Sequence, residues 1–408
     1  MRNWFRISLA FMALAATIGA LLRLIYVVEM PWLFFKPWLH AHSHVAMLGW
    51  LFPGLLIALL GQDRREPPRR FAFWLGINQL LVFGMLVSFP LQGYGAWSIS
   101  FSAAQTIVGY ALMVQAWRRT SHWPPHGSRL LARLAFGFQV ISTFGVWAMG
   151  PIMSSGMAGS ELYYWSIQWF LHFQFNGWFW FAAMAIGSRW AEKHGVAVQL
   201  DRTTTMLWVL GTIFSFALAI AWSERLPLVF AVNAMAVLVQ FWAAWRTLLA
   251  MRTARPQAMV RSSRWMRVLI AVMLLSMAVK IGAQALVAIP AVAKMSLTLR
   301  NYVIGFVHLN TLGTISALLF AFALMQGWFD ERRPMVRRGL VCFIIGYGLS
   351  EFLLFTQGTF FWAGWGQIPG YLWSLFIVSA IMALGVWVLL FSTSGAIAPG
   401  RPTTEAAE

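Results

Sequence analysis

Long apolar runs separated by short polar breaks dominate the chain. A membrane-crossing helix needs roughly 20 apolar residues at about 1.5 Å rise each. Twelve runs meet this: about 6–28, 40–61, 71–90, 97–117, 131–152, 165–188, 204–222, 227–246, 267–289, 301–327, 339–357 and 370–391. The pattern predicts an all-α, polytopic membrane protein with a single transmembrane domain over 1–392. Arg2 and Arg6 precede the first run as in a signal peptide. Arg23 interrupts that run, and no small-x-small cleavage site follows, so it reads as a retained span. From Ser394 the chain is rich in Gly, Pro, Thr and Ala, which predicts a disordered cytoplasmic tail over 393–408.

A short pattern recurs inside these runs. His44 is followed by Gly49 and Trp50, His172 by Gly177 and Trp178, and His308 by Gly313 and Thr314. The histidines are 128 and 136 residues apart, close to a third of the 408-residue chain. Near-equal spacing predicts three four-helix pseudo-repeats, about 1–125, 126–262 and 263–392.

Composition narrows the class. Hydrophobic residues make up 60% and charged residues 10% of the chain, against about a quarter charged in a soluble domain. The net charge of +18 is not a nucleic-acid footprint, because the basic residues alternate with the apolar runs. Of the 30 Lys and Arg residues, 24 fall in connections on one side. Only Lys36, Arg225, Lys294 and Arg300 fall on the other, and Arg23 and Lys280 lie within runs. This bias places both termini in the cytoplasm and the chain in the plasma (inner) membrane, with lipid as its standing partner. The lone Cys342 rules out a disulfide framework and any CxxC site. No Ser/His/Asp arrangement or phosphate loop stands out.

The polar groups within the runs are therefore the candidate chemistry. An ionisable residue in a bilayer costs at least ~2.5 kcal/mol, so a functional site is the default reading. Arg23, Lys280 and Glu351 all fall in the outer half of their runs, with Gln105, Gln174, Asn176, Gln284 and Asn310 near the same depth. His44, His172 and His308 enter that layer at one depth, and a ring of repeats would let them converge. The second run opens with His40, His42 and His44. On a helix His42 faces away from His40 and His44, so one helix can ligate a flat cofactor on each side. An extended segment would instead aim all three at one copper or zinc ion. Neutral imidazoles from two helices suit haem iron. His122, His126 and His194 fall in connections and read as solvated.

At these residues the chain resembles subunit I of the haem-copper oxidase superfamily, above all its C-type oxidase and nitric oxide reductase branch. His42, His44, Leu48, Gly49 and Trp50 match that family's H-x-H helix, and His308 with Asn310 matches its H-x-N helix. The span with Ile167, Gln168, Trp169, His172, Gly177 and Trp178 looks like its sixth-helix histidine region. The order departs: the H-x-H opens the second span rather than the tenth. The adjacent histidine pair that completes the family's copper site has no counterpart in the seventh or eleventh span. The His40-Ala41-His42 start of span two is similar to NnrS-type membrane proteins. The resemblance implies haem, of type b, with copper as a further option and a redox role in nitrogen-oxide or oxygen chemistry. It names His40, His42, His44, His172 and His308 as cofactor residues, the last four of these five excepting His40 also as metal ligands. It implies a quinol or another redox protein as electron partner, Arg23 or Lys280 beside haem propionates, and Glu351 as a proton-relay carboxylate. An oxidoreductase activity is open on this reading. The alternatives are a proton-coupled secondary transporter without haem, using Glu351 and Lys280, and a metal-dependent membrane enzyme using His40, His42 and His44.

Overall fold

The computed structural model describes residues 1–63, 67–196, 200–221, 223, 227–253 and 262–393. Arg64, Arg65, Arg225, the middle of the basic connection 247–266 and the tail beyond Thr393 lie outside the described residues. Every described element is helical, with no strand among them. Among the described residues, eleven helices are long and apolar enough to cross a membrane, which makes this a multi-pass membrane protein. They are α1 (Arg2–Leu24), α2 (Phe35–Gly61), α3 (Arg69–Gln92), α4 (Ala96–Arg119), α5 (Ser128–Ser154), α7 (Arg202–Ile220), α8 (Pro227–Arg252), α9 (Arg264–Leu286), α11 (Arg300–Met325), α12 (Pro334–Trp362) and α13 (Tyr371–Ser392). Between them lie α6, which is helical throughout residues 161–193, and the short α10 (Pro290–Thr298). The run expected over 165–188 falls in α6. His172, Gln174 and Asn176 make this helix more polar than the other eleven, although it is as long. Ser160, Asp201 and Ser263 start α6, α7 and α9 by accepting the backbone N–H of Tyr163, Thr204 and Met266, as N-caps do.

Three helices form the centre. The most apolar stretch of α2 is 89% buried and that of α11 67%, against 28% for α8 and 17% for α9. In α6, Phe173–Trp178 is buried throughout. These three helices pack directly on one another. A Cβ on Gly54 would meet Leu319, and one on Gly61 would meet Phe322. Trp50 Nε1 donates to Ser316 Oγ at 2.9 Å, and the Phe52 and Trp178 rings lie 6.0 Å apart. The other helices surround this trio. Contacts of α1 with α13, including Trp387 Nε1 donating to Thr17 Oγ1, join the first and last helices.

All three central helices are wound alike at one place. Immediately after His44, His172 and His308 the α-helix widens into π-helix, over Val45–Leu51, Phe173–Trp178 and Leu309–Ser316. Such segments are rare and change the hydrogen-bond register of the backbone. Neighbouring side chains bind the carbonyls there. Asn78 and Gln79 of α3 donate to Leu48 O and Gly49 O, and Thr212 of α7 reaches Asn176 O. Thr314 and Ser316 bond back to Leu309 O and Thr311 O, five residues earlier. The glycine of each pattern lies in the π segment and admits a neighbour. A Cβ at Gly49 would stand 2.9 Å from Phe11 of α1, and one at Gly177 would stand 2.6 Å from Phe138 of α5. One at Gly313 would collide with Tyr347 Oη of α12 and Ser276 Oγ of α9.

A polar clamp joins the helix ends at the basic side. Asp63 accepts from Arg189 (2.9 Å), Trp123 Nε1 (3.0 Å) and His122 (3.1 Å), and Lys193 lies 3.6 Å away. Lys193 also donates to Gln62 O. Glu192 accepts from the backbone N–H and hydroxyl of Ser128 at the start of α5. Burial alone would raise the Asp63 carboxyl. Hydrogen bonds from Trp123 and Arg189, with the charges of Arg189 and Lys193, outweigh it and hold the group at about 2.

Two predictions follow from this packing. Gly313→Ala overpacks the Ser276–Tyr347 contact and lowers stability by about 1–3 kcal/mol. Gly282→Ala, whose Cβ meets nothing within 4 Å, is neutral or stabilising by up to about 1 kcal/mol. Thermal unfolding in mild detergent compares the two, and equal midpoints would contradict the packing. Asp63→Asn should cost about 1–2 kcal/mol at pH 7, after discounting for solvent screening. Because folding depresses this carboxyl, its contribution is present above about pH 4 and fades as pH falls toward 2. The gap between wild type and variant should therefore close over that window in a pH series of unfolding midpoints.

Candidate functional site

The histidines of α2 split between two faces. Helical winding of Phe35–His44 excludes the extended arrangement in which His40, His42 and His44 chelate one ion. His42 turns toward α1, its Nδ1 2.8 Å from Ala15 O. A carbonyl partner requires Nδ1–H, so Nε2 carries the free lone pair. Gly19, one turn further along α1, makes room for the ring: a Cβ there would lie 2.9 Å from His42 Cε1. His40 and His44 turn the other way, toward Phe89 of α3 and Tyr94 in the turn after it.

His42 shares its side of the bundle with His308 of α11. His308 and Arg23 of α1 lie within electrostatic reach of His42, and Arg23 within reach of His308. His308 Nδ1 stands 3.5 Å from Glu351 Oε1 of α12. Arg23 also lies within electrostatic reach of Glu351 and Tyr371, and the Tyr371 hydroxyl accepts from Asn301. Glu351 is 7% exposed. Neither of its oxygens nor His308 Nδ1 makes a hydrogen bond. Four of the residues singled out by sequence, Arg23, His42, His308 and Glu351, thus form one group spanning α1, α2, α11 and α12.

His172 and Lys280 form a second group. His172 Nε2 donates to Thr212 O at 2.8 Å, and its Nδ1 accepts from Asn176 Nδ2 at 3.3 Å. The side-chain Oδ1 of Asn176 accepts from Gln284 Nε2 of α9. Both ring nitrogens are thereby engaged, the reverse of His42. Lys280 is 2% exposed and lies within electrostatic reach of His172. Its Nζ sits 4.0 Å over the Trp180 ring and 5.9 Å from that of Phe306, between α6 and α11. No carboxylate pairs with it among the described residues.

His44, His172 and His308 do not gather at one point. Among the described residues, no three His, Cys, Asp or Glu side chains come together closely enough to hold a metal ion. The reason is local. His44 bonds back to His40 O at 2.9 Å and lies against Phe89, ring centroids 4.4 Å apart. His172 is held by α7, and His308 faces α12.

Among models of known families and curated proteins, none matches this chain.

Other polar residues in the layer serve the backbone and one another. Gln105 donates to Asn78, Gln174 to Gln139 and Ser142, and Asn310 to Phe306 O. The sequence reading missed Ala15, Gly19, Thr212, Phe89 and Tyr94, which orient the histidines. Only Gly19, in the small-residue stretch Ala15–Ala20 of α1, carried a signal, as a place where another side chain can approach closely.

His172→Leu strips Thr212 O and Asn176 of their partner. It should lower stability by about 1–3 kcal/mol, read as the unfolding midpoint in detergent. An unchanged midpoint would mean that these bonds do not hold the ring.

Proposed function

We propose that the chain is a haem-binding protein of the plasma (inner) membrane, with both termini cytoplasmic and His42 and His308 as the residues that would hold a b-type haem. The observation that carries this reading is the pairing of two imidazoles from two central helices on one side of the bundle, each with Nδ1 turned to an acceptor. Ala15 O accepts from His42 Nδ1, and Glu351 Oε1 lies 3.5 Å from His308 Nδ1 with no hydrogen bond between them. The bond to Ala15 O fixes the His42 tautomer and leaves its Nε2 for a metal. The surroundings fit the group. Arg23 supplies a cation suited to a propionate, and the buried Glu351 oxygens and His308 Nδ1 have no hydrogen-bond partner. His172, with both nitrogens engaged, suits a ligand role less well.

When bound, haem held by two imidazoles would supply one-electron transfer. The chain's own residues do the rest. Ala15 and Gly19 orient the His42 ring. Glu351, between Arg23 and His308, is placed to hold a proton beside His308 Nδ1. With no second-histidine pair in spans seven and eleven, the reading is electron transfer or nitrogen-oxide and oxygen handling rather than oxygen reduction of the oxidase kind, with a quinol or redox protein as donor. The recurrence of a π segment and a close-packed glycine after His44, His172 and His308 supports twelve spans, α6 included, in three four-helix pseudo-repeats, as the oxidase-like resemblance implies.

A second reading is a proton-coupled transporter without haem. It is favoured by Lys280, buried with only aromatic partners, and by the unbonded Glu351. Absorption spectra of the protein purified in mild detergent, oxidised and reduced, separate the two. The haem reading expects a Soret band that shifts on reduction and is lost in His42→Ala. A sample with no Soret band and no extractable haem, purified from haem-replete cells, would overturn it.

A further inference from the structure

We infer that His40 and His44 form the imidazole pair of a binding site for one divalent transition-metal ion of the copper–zinc class, apart from the His42–His308 group. The two residues are four apart on one face of α2, the spacing by which a helix presents two imidazoles to a single ion. Both rings meet the same aromatic pair. Phe89 lies 4.4 Å from His44 and 5.9 Å from His40, and Tyr94 lies 4.6 Å from His40 and 6.4 Å from His44, between centroids. The two imidazoles are therefore neighbours on one wall.

Each ring keeps a nitrogen without a hydrogen-bond partner. His44 donates from Nδ1 to His40 O, which leaves its Nε2 lone pair free. His40 Nε2 is buried and has no hydrogen-bond partner, a condition native structures resolve with a water or an ion. No third His, Cys, Asp or Glu joins the pair among the described residues. Tyr94, beside both rings, is 47% exposed, so solvent can reach the pair and fill the remaining coordination positions. Two imidazoles with oxygen donors suit copper(II) best and zinc(II) next. An open site of this kind can exchange its ion and bind a small ligand. The inference does not rest on haem.

Copper(II) added to the purified, chelator-treated protein tests it. The histidines outside the spans are silenced first, in a His122→Gln/His126→Gln/His194→Gln background. The expected result is an electron paramagnetic resonance signal with nitrogen coupling, lost in His40→Gln and in His44→Gln. The Soret band of the same samples reports the haem reading independently, since His40→Gln leaves His42 and His308 in place. Should a variant fail to fold, protection of His40 and His44 from diethyl pyrocarbonate by copper(II) or zinc(II) in the unaltered protein replaces it. A signal that persists in both variants, or no protection by either metal, would overturn the site.

Discussion

A helix within a bilayer must satisfy every backbone polar group from inside the protein, because no water is there to do it. This chain departs from regular α-winding at the centre of its own bundle, where that requirement is most severe. At Val45–Leu51, Phe173–Trp178 and Leu309–Ser316 the helix widens. Amides and hydroxyls of Asn78, Gln79, Thr212, Thr314 and Ser316 take up carbonyls there. Asn78 and Gln79 are buried amides that partner the widened backbone, and Gln105 in turn donates to Asn78.

The same winding separates architecture from chemistry. The repeated histidine precedes the π segment in all three central helices, yet each copy meets different surroundings. His44 bonds back along its own helix, His172 is satisfied on both nitrogens, and His308 faces a carboxylate. His42 stands outside the repeated pattern, two residues before it, and turns to α1, within electrostatic reach of His308 and Arg23. The π segment and its glycine recur and support the bundle. The candidate chemistry comes from what differs around each copy: the Glu351 beside His308, the added His42, and Lys280 near His172.

Helix positions were legible in the apolar runs, because bilayer thickness fixes their length. The opposed facing of His42 and its two neighbours followed from helical geometry once the segment was read as helix. α6 was legible by length although its hydropathy is low. The π-winding was not legible, since its seven or so residues are too few to shift an apolar period. Nor were Ala15 O and Thr212 O: a backbone carbonyl has no sequence signature, so spacing alone cannot tell His172, held at both nitrogens, from His308. Convergence of His44, His172 and His308 on one point assumed that equal depth means equal facing. The partners on α3, α7 and α12 decide the facing instead.

The account's central claim is that the imidazoles of α2 and α11, and not that of α6, serve one cofactor. Low-temperature electron paramagnetic resonance of the oxidised protein tests this most directly. A low-spin ferric signal from two imidazoles is predicted, converted to high-spin or lost in His308→Ala and retained in folded His172→Leu. Survival of the low-spin signal without His308, or its loss with His172, would contradict the account.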